Sequence, residues 1–272
     1  MVKCEVFMEI EFHGVRGSIP IPSENFLEYG GNTTCIEISS KDFQLIIDAG
    51  SGFKNVKISD KRPTFLIFSH FHHDHLQGLP FNEALFSTKN QIHVGSGLVG
   101  KEGLEEALST AFTPPLFPLD LIGGNLAFNV MNFETFQAAA IDFFSIKTFP
   151  LSHPGGAAGY KITAGNRSIV CGLDHEYGLD KKLDAYFQGA SDNSNLVIWD
   201  GMFTNSEHKD KQGWGHSTIE QAIAFSSTCN PNLLFITHHS PQRKDQELNQ
   251  LARDLLPGRV KFAKENTKFE IS

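Results

Sequence analysis

The sequence contains no apolar run approaching the ~20 residues that a membrane-spanning helix needs, so no membrane association of that kind is expected. A secretory leader is not expected either, since the N-terminal stretch lacks a signal-peptide core. The first residues, MVKCEVFMEIEF, carry acids inside their apolar stretch, and a cytoplasmic location is the resulting expectation. Cysteine is scarce: Cys4, Cys35, Cys171 and Cys229 are widely spaced, with no C-x-x-C pair. A disulfide framework is therefore not expected, and all four read as small buried apolar residues. Basic charge is deficient as well. Lys and Arg number 23 against 31 Asp and Glu, a net charge of −8, which makes long nucleic acid a poor general partner. The composition is neither that of a disordered chain nor that of a coiled coil. With 272 residues and 24 Phe, the chain can bury a substantial core, and a single domain over 1–272 is expected.

What the sequence has in excess is histidine, twelve in all, and their placement carries the argument. Strand patterns dominate the first half, in CEVFMEIEFH, TCIEIS, FQLIIDA and TFLIFSH. A helix is expected over KEGLEEALSTAF, closed by Pro114 and Pro115. Strands return at NLAFNVMNF, IDFFSIKTF, AGYKITA and RSIVCG. Then helix and strand alternate: DKKLDAYF, NLVIWD, STIEQAIAFSSTC, LLFITH and DQELNQLARDLL. The STIEQ helix is expected to open on a Ser217-x-x-Glu220 capping box. In the last helix, Leu248, Leu251, Ala252, Leu255 and Leu256 fall on one face ahead of Pro257-Gly258. Such a chain fits an α/β (α+β) two-sheet core covered by helices on both sides.

Directly after the strand TFLIF stands Ser69-His70-Phe71-His72-His73-Asp74-His75. Alternate residues of extended chain point the same way, so His70 and His72 can converge on one ion. Once the chain turns, Asp74 and His75 can face a second. Imidazole and carboxylate suit zinc, with manganese or iron as alternatives. Crowding four imidazoles and a carboxylate without a cation would create desolvation and like-charge strain. Further candidate ligands end strands elsewhere: His153 after IDFFSIKTF, Asp174 after SIVCGL and His238 closing LLFITH. A bridging carboxylate is apt, because it can hold two cations at the spacing that a shared hydroxide requires.

HFHHDHLQGLP resembles the H-x-H-x-D-H motif of the metallo-β-lactamase superfamily, including the Gly-Leu-Pro of its phosphodiesterase branch (tRNase Z-like and cyclic-phosphate phosphodiesterase-like). The order of the cluster, His153, Asp174, His216 and His238 is similar to that branch across nearly the whole chain. Ile236-Thr237-His238-His239-Ser240-Pro241 resembles its last metal motif and selects His238 over His239. Gly14-Val15-Arg16-Gly17-Ser18, Gly30-Gly31-Asn32-Thr33 and Ile46-Ile47-Asp48-Ala49-Gly50 resemble its N-terminal loops and following strand, whose Asp supports the metal loop. The resemblance implies an αββα sandwich of two mixed sheets flanked by helices, with the metals at one sheet edge. It implies two divalent ions, one held by His70, His72 and His153 and the other by Asp74, His75 and His238, with Asp174 bridging. In Gly213-Trp214-Gly215-His216-Ser217-Thr218, it implies that His216 donates a proton to the leaving oxygen, a role imidazole suits near neutral pH. Asp200, ending NLVIWD, is a candidate partner that orients His216. The helix that follows His216 is expected to destabilise its imidazolium.

The expected function is a di-metal hydrolase cleaving a small phosphodiester, such as a cyclic nucleotide or cyclic phosphate, with the metal-bridging hydroxide as nucleophile. The resemblance also admits a tRNA 3′-processing endoribonuclease. Many such enzymes insert a long tRNA-gripping arm between the motifs bearing His153 and Asp174, which here lie only 21 positions apart. A third reading, of another class, is a non-catalytic metal-binding or sensing protein. A homodimer is expected by analogy alone. His13 and Arg16 are candidates for contacting a substrate phosphate, and His175 and Glu176 for lining the site. Gly155-Gly156 fits a tight turn. His73, His93, His208 and His239 carry no assigned role.

Overall fold

The computed structural model describes residues 7–86, 91–124 and 127–271. The chain first lays down β1 (Glu9–Gly14), β2 (Cys35–Ser39), β3 (Gln44–Ile47), β4 (Thr64–Phe68), β5 (Ile92–Ser96) and β6 (Phe128–Val130). It then forms β7 (Ser145–Leu151), β8 (Ala157–Ala164), β9 (Arg167–Gly172), β10 (Leu196–Asp200), β11 (Leu233–Thr237) and β12 (Val260–Phe262). The last strand, β13 (Lys268–Glu270), returns to pair with β1. Two sheets result, ordered β13-β1-β2-β3-β4-β5-β6 and β12-β11-β10-β9-β8-β7. Each contains antiparallel pairs followed by a parallel run: β3 to β6 in one, β9 to β12 in the other.

The helices are α1 (His73–Leu76), α2 (Lys101–Ala111), α3 (Phe133–Ala140), α4 (Lys181–Ser191), α5 (Asn205–His208), α6 (Ile219–Cys229) and α7 (Asp245–Leu251). Between the sheets lies a core containing Phe12, Ile38, Phe65, Tyr160, Ile198 and Phe235. A second apolar layer, with Phe187, Trp199, Phe225 and Leu248, packs α4, α6 and α7 on the second sheet. A third, with Leu66, Phe68, Leu104 and Leu108, packs α2 on the first. Strands β3, β4 and β10 are buried at every residue, which explains their near-continuous apolar runs: both faces are covered. The arrangement is the expected αββα sandwich. Among the described residues, no helix is long and apolar enough to cross a membrane.

Four local expectations differ. The strand expected over NLAFNVMNF shortens to β6, residues 125 and 126 lying outside the described residues, and Phe133 opens α3, which no expectation covered. Phe133, Phe136 and Ala140 recur at helical spacing and pack on the inter-sheet core, so burial selects helix there. Strand β5 was also not foreseen; its five residues carry a His and a Gly among the apolar ones. Helix α6 is capped one residue later than expected, by a Thr218–Gln221 box. Ser217 is occupied instead by the His175 carbonyl and the Tyr177 amide, and Glu220 accepts from the Asn205 amide. Helix α7 stops at Leu251 and tightens into a 3₁₀ turn over Ala252–Asp254, so Leu255 reaches the core from beyond the helix. At the N-terminus, residues 4–6 of the expected first strand, with Cys4, lie outside the described residues; Cys35, Cys171 and Cys229 are free and buried.

Candidate metal centre

The chemistry gathers at the ends of strands. β4 delivers the Ser69–His75 segment, whose last residues curl into α1. β7 leads to His153, β9 to Asp174, β10 to Asp200 and β11 to His238. Two of these termini, Asp174 (φ 56°) and His238 (φ 57°), hold a non-glycine residue in the left-handed region, as does Asp48 after β3 (φ 61°). Each such residue costs roughly 1–2 kcal/mol, which the surrounding packing offsets. The turn aims the side chain across the sheet edge rather than along the strand.

The four innermost histidines are held in one tautomer by their other ring nitrogen. His75 Nδ1 lies 2.8 Å from Asp48 Oδ2, and His153 Nδ1 lies 2.8 Å from the Gly215 carbonyl. Carboxylate and carbonyl only accept, so both rings carry their proton on Nδ1. His70 Nδ1 meets Ser69 Oγ at 3.0 Å, and that hydroxyl already donates to Asp48 at 2.7 Å. His238 Nδ1 meets Thr34 Oγ1 at 3.1 Å, and Thr34 donates to the Arg16 carbonyl. In their neutral form all four rings therefore present a bare Nε2 to the interior, the form in which imidazole binds a cation. Asp48 also accepts from the Ser69 amide at 2.7 Å, so one buried carboxylate fixes both ends of the loop. Asp74 Oδ2 accepts from the Ser18 amide at 2.7 Å.

His70, His72, His153 and Asp174 form one group of converging donor atoms, Asp74, His75 and His238 form another, and Asp174, His216 and His238 form a third that overlaps both. Asp174 faces the first two. Its Oδ2 lies 3.6 Å from His70 Nε2 and 3.5 Å from His153 Nε2, and its Oδ1 lies 3.3 Å from His75 Nε2. His75 Nε2 and His238 Nε2 stand 3.5 and 3.7 Å from Asp74 Oδ2. His72 Nδ1 is 3.0 Å from His153 Nε2. Most of these separations exceed hydrogen-bond lengths. They sit near the ~3.3 Å edge of a tetrahedron whose bonds are about 2.0–2.1 Å, the zinc–nitrogen range. His70 Nε2, His75 Nε2, His238 Nε2 and Asp174 Oδ1 are buried without any hydrogen-bond partner. Buried polar atoms almost always have one, so a cluster of four fits a cation as the missing partner. Burial acts to raise the Asp174 and Asp74 carboxyls, but the surrounding imidazoles outweigh it and hold both well below the usual carboxylate range.

His216 stands beside this cluster, its ring stacked on His238 and edge-on to His153. Its Nδ1 lies 2.7 Å from Asp200 Oδ2. Burial works to lower its pKa, yet the Asp200 charge and hydrogen bond prevail and raise it to about 9. The carboxylate in direct contact opposes the expected destabilisation of the imidazolium by the helix terminus that begins two residues later. The loop carrying His216 is pinned by Glu176, whose carboxylate accepts from the Gly213 and Gly215 amides at 2.8 Å. At Gly215 (φ +86°), a Cβ would fall 2.1 Å from His153 Nδ1, so only glycine lets the loop pass.

Other expectations are corrected by burial. His13 is 5% exposed and Arg16 fully buried, so neither offers a free surface to a phosphate. Arg16 donates to the carbonyls of Gly30 and Arg243 at 2.7 Å and ties the N-terminal loops to the segment after His238. His175 and Glu176 do not line the cleft; His175 joins the Ser152 amide to Asp184. Gly155-Gly156 does form a tight turn, with φ of 82° and 84°. His239 is buried, with Nε2 3.0 Å from the Ala263 carbonyl. Thr34, Ser69 and Ser18 were missed, because a hydroxyl or an amide has no sequence signature of this role. The spacing in Gly14-Val15-Arg16-Gly17-Ser18 held the available hint: a Cβ at Gly17 would lie 2.4 Å from His238 Nε2.

Above the donor atoms opens a cleft of 460 Å³ lined by Ser18, Phe71, His72, Asp74, Asp174 and His216, among others. Bare lone pairs gathered under an open cleft belong to the class of metal-dependent hydrolases. The chain belongs to the beta-lactamase superfamily, whose domain model matches residues 44–239. It is similar to a ribonuclease Z of Ignicoccus hospitalis, at 24% identity, covering 74% of this chain and 79% of the relative. Its fold is similar to that of the metallo-beta-lactamase fold protein YhfI from Bacillus subtilis, with a TM-score of 0.74, 20% identity and coverage of 98% and 100%. The short form of human tRNase Z superposes with a TM-score of 0.69, 18% identity and coverage of 97% and 99%.

Proposed function

We propose that this chain is a phosphodiesterase that uses two divalent ions, zinc first among them, on a small phosphodiester such as a cyclic nucleotide or cyclic phosphate. The observation that carries the reading is Asp174, whose two oxygens face the two donor groups separately. In this reading, His70, His72 and His153 would hold one ion and Asp74, His75 and His238 the other, and Asp174 would contribute a carboxylate oxygen to each group. When bound, the ions lower the pKa of water and neutralise the non-bridging phosphate oxygens. The rest is supplied by the chain. Asp48, Ser69, Thr34 and the Gly215 carbonyl keep each imidazole in the tautomer that leaves Nε2 bare. Asp200 orients His216 and favours its protonated form, ready to give a proton to the leaving oxygen.

Two features support a small substrate. The residues between His153 and Asp174 are taken up by the hairpin of β8 and β9, with no arm between them. The net charge of −8 opposes a long polyanion. The second reading, tRNA 3′ processing, is favoured by the ribonuclease Z relative. One experiment separates them. Protein loaded with Zn²⁺ or Mn²⁺ is given an activated aryl phosphodiester, 2′,3′- and 3′,5′-cyclic nucleotides and pre-tRNA. Higher kcat/KM on a small diester than on pre-tRNA is expected. Cleavage of pre-tRNA alone would select the second reading, and no turnover of any would leave a metal-binding protein.

A further inference from the structure

A second cavity, of 480 Å³, opens beside the cleft between the metal loop and α2. The two share Phe71 and His73 in their walls, so they lie side by side, the donor atoms beneath the first. The floor of the second cavity is apolar: Leu76, Ala107 and Ala111 line it, with Leu116 at 74% exposed. Its ionisable side chains are His73 and Glu106, and neither Lys nor Arg lines it. A further phosphate would meet a carboxylate and no fixed cation there, whereas an uncharged ring would bury apolar surface.

We propose that this groove receives an uncharged, aromatic ester arm of the substrate, the one retained on the phosphorus held in the cleft. The inference rests on the phosphodiesterase reading and narrows its substrate class from cyclic esters to open diesters with at least one flat, neutral arm and no second phosphate on it. His73, on the boundary of the two cavities, becomes a specificity residue rather than a ligand. An aromatic arm meets Phe71 and Leu76 on one wall and α2 on the other.

The test uses two diesters with the same leaving group, methyl p-nitrophenyl phosphate and phenyl p-nitrophenyl phosphate. The readout is the ratio of their kcat/KM values in metal-loaded full-length protein. In the wild type, the phenyl arm is expected to be preferred about ten-fold beyond the intrinsic difference in reactivity, the scale of apolar pocket discrimination. Ala107→Trp fills the groove, and Leu116→Asp places a charge at its exposed mouth. Each is expected to cut the ratio about five-fold or more, mainly through KM. A ratio unchanged in both variants, or an equal loss on both substrates, overturns the proposal. So does a Leu116→Asp protein that alters the sedimentation behaviour but not the ratio, because the groove is then a contact between copies of the chain. If the wild type turns over neither diester, the phosphodiesterase reading fails, and the groove assignment with it; turnover without arm preference removes the groove assignment alone.

Discussion

The molecule buries two clusters of histidine and carboxylate, and they differ in how their charges are met. Glu11, His13 and Glu37 converge on β1 and β2 with the same residue types as the cleft. There, His13 Nε2 lies 3.0 Å from Glu37 Oε2, and Glu37 Oε1 accepts from Gln44 at 2.8 Å and from Arg62 at 3.3 Å. Lys268 stands 3.2 Å from Glu11. The cluster supplies its own counter-charges. At the cleft, among the described residues, the charge partners of Asp74 and Asp174 are histidines, and four donor atoms are left without partners. Residue type alone does not make a metal centre. The supporting groups do: at β1 and β2 they pair the converging atoms and leave only His13 Nδ1, on the far side of its ring, without a partner, whereas at the cleft the converging atoms themselves are left unpaired.

The comparison breaks most visibly at Asp174. Asp174→Asn is expected to lower turnover by about 10³-fold or more, as several kcal/mol of metal-dependent stabilisation is lost, and to lower bound metal measured by elemental analysis. A variant with full metal content and full rate would refute the assignment of this carboxylate to both ions. His216→Ala should lose about 10²–10⁴ in kcat while keeping its metal, since it removes a proton donor and no ligand. Equal rates in variant and wild type would remove the acid role. Asp48→Asn keeps the shape but weakens the hold on His75 and Ser69. Metal affinity, read by competition with a chromophoric chelator, is expected to fall about 10–100-fold.

The smallest effect belongs to the other cluster. Glu37→Gln is expected to leave kcat/KM unchanged and to destabilise the fold by about 1–3 kcal/mol in denaturant titration. The variant should also lose as much Tm on chelator treatment as the wild type; a smaller loss would mean that Glu37 helps hold an ion. Its pH dependence has a definite sign. Burial acts to raise the Glu37 carboxyl, but the hydrogen bonds from His13 and Gln44 outweigh it and leave the pKa lowered. A depressed carboxyl stabilises the fold above its unfolded value, about 4.3, and loses that contribution as pH falls through the folded value. Glu37→Gln should flatten this part of the acid limb of stability against pH.

Much of the candidate site was legible because the residue types that suit metal chemistry are few. His70, His72, Asp74 and His75 sit within six positions after an apolar strand, and such crowding has few other uses. His153, Asp174 and His238 were legible as strand ends, and the structure brings all three to the same edge. His13, Arg16, His175 and Glu176 were misread because a polar residue in a loop looks exposed in sequence. Only packing shows that Arg16 is fully buried among backbone carbonyls.

By itself, the sequence determined which atoms are available: imidazoles and carboxylates at strand ends, a strand-rich first half and the apolar runs of two covered sheets. Those are local properties, written in residue type and period. The tertiary structure decided which of twelve histidines share a point in space, which tautomer each adopts and which carboxylates are already satisfied. Asp48 and His75 are 27 positions apart, and Thr34 and His238 are 204 apart. No local pattern encodes such pairs. They are set by the register of the strands and by the burial that makes an unpartnered polar atom costly.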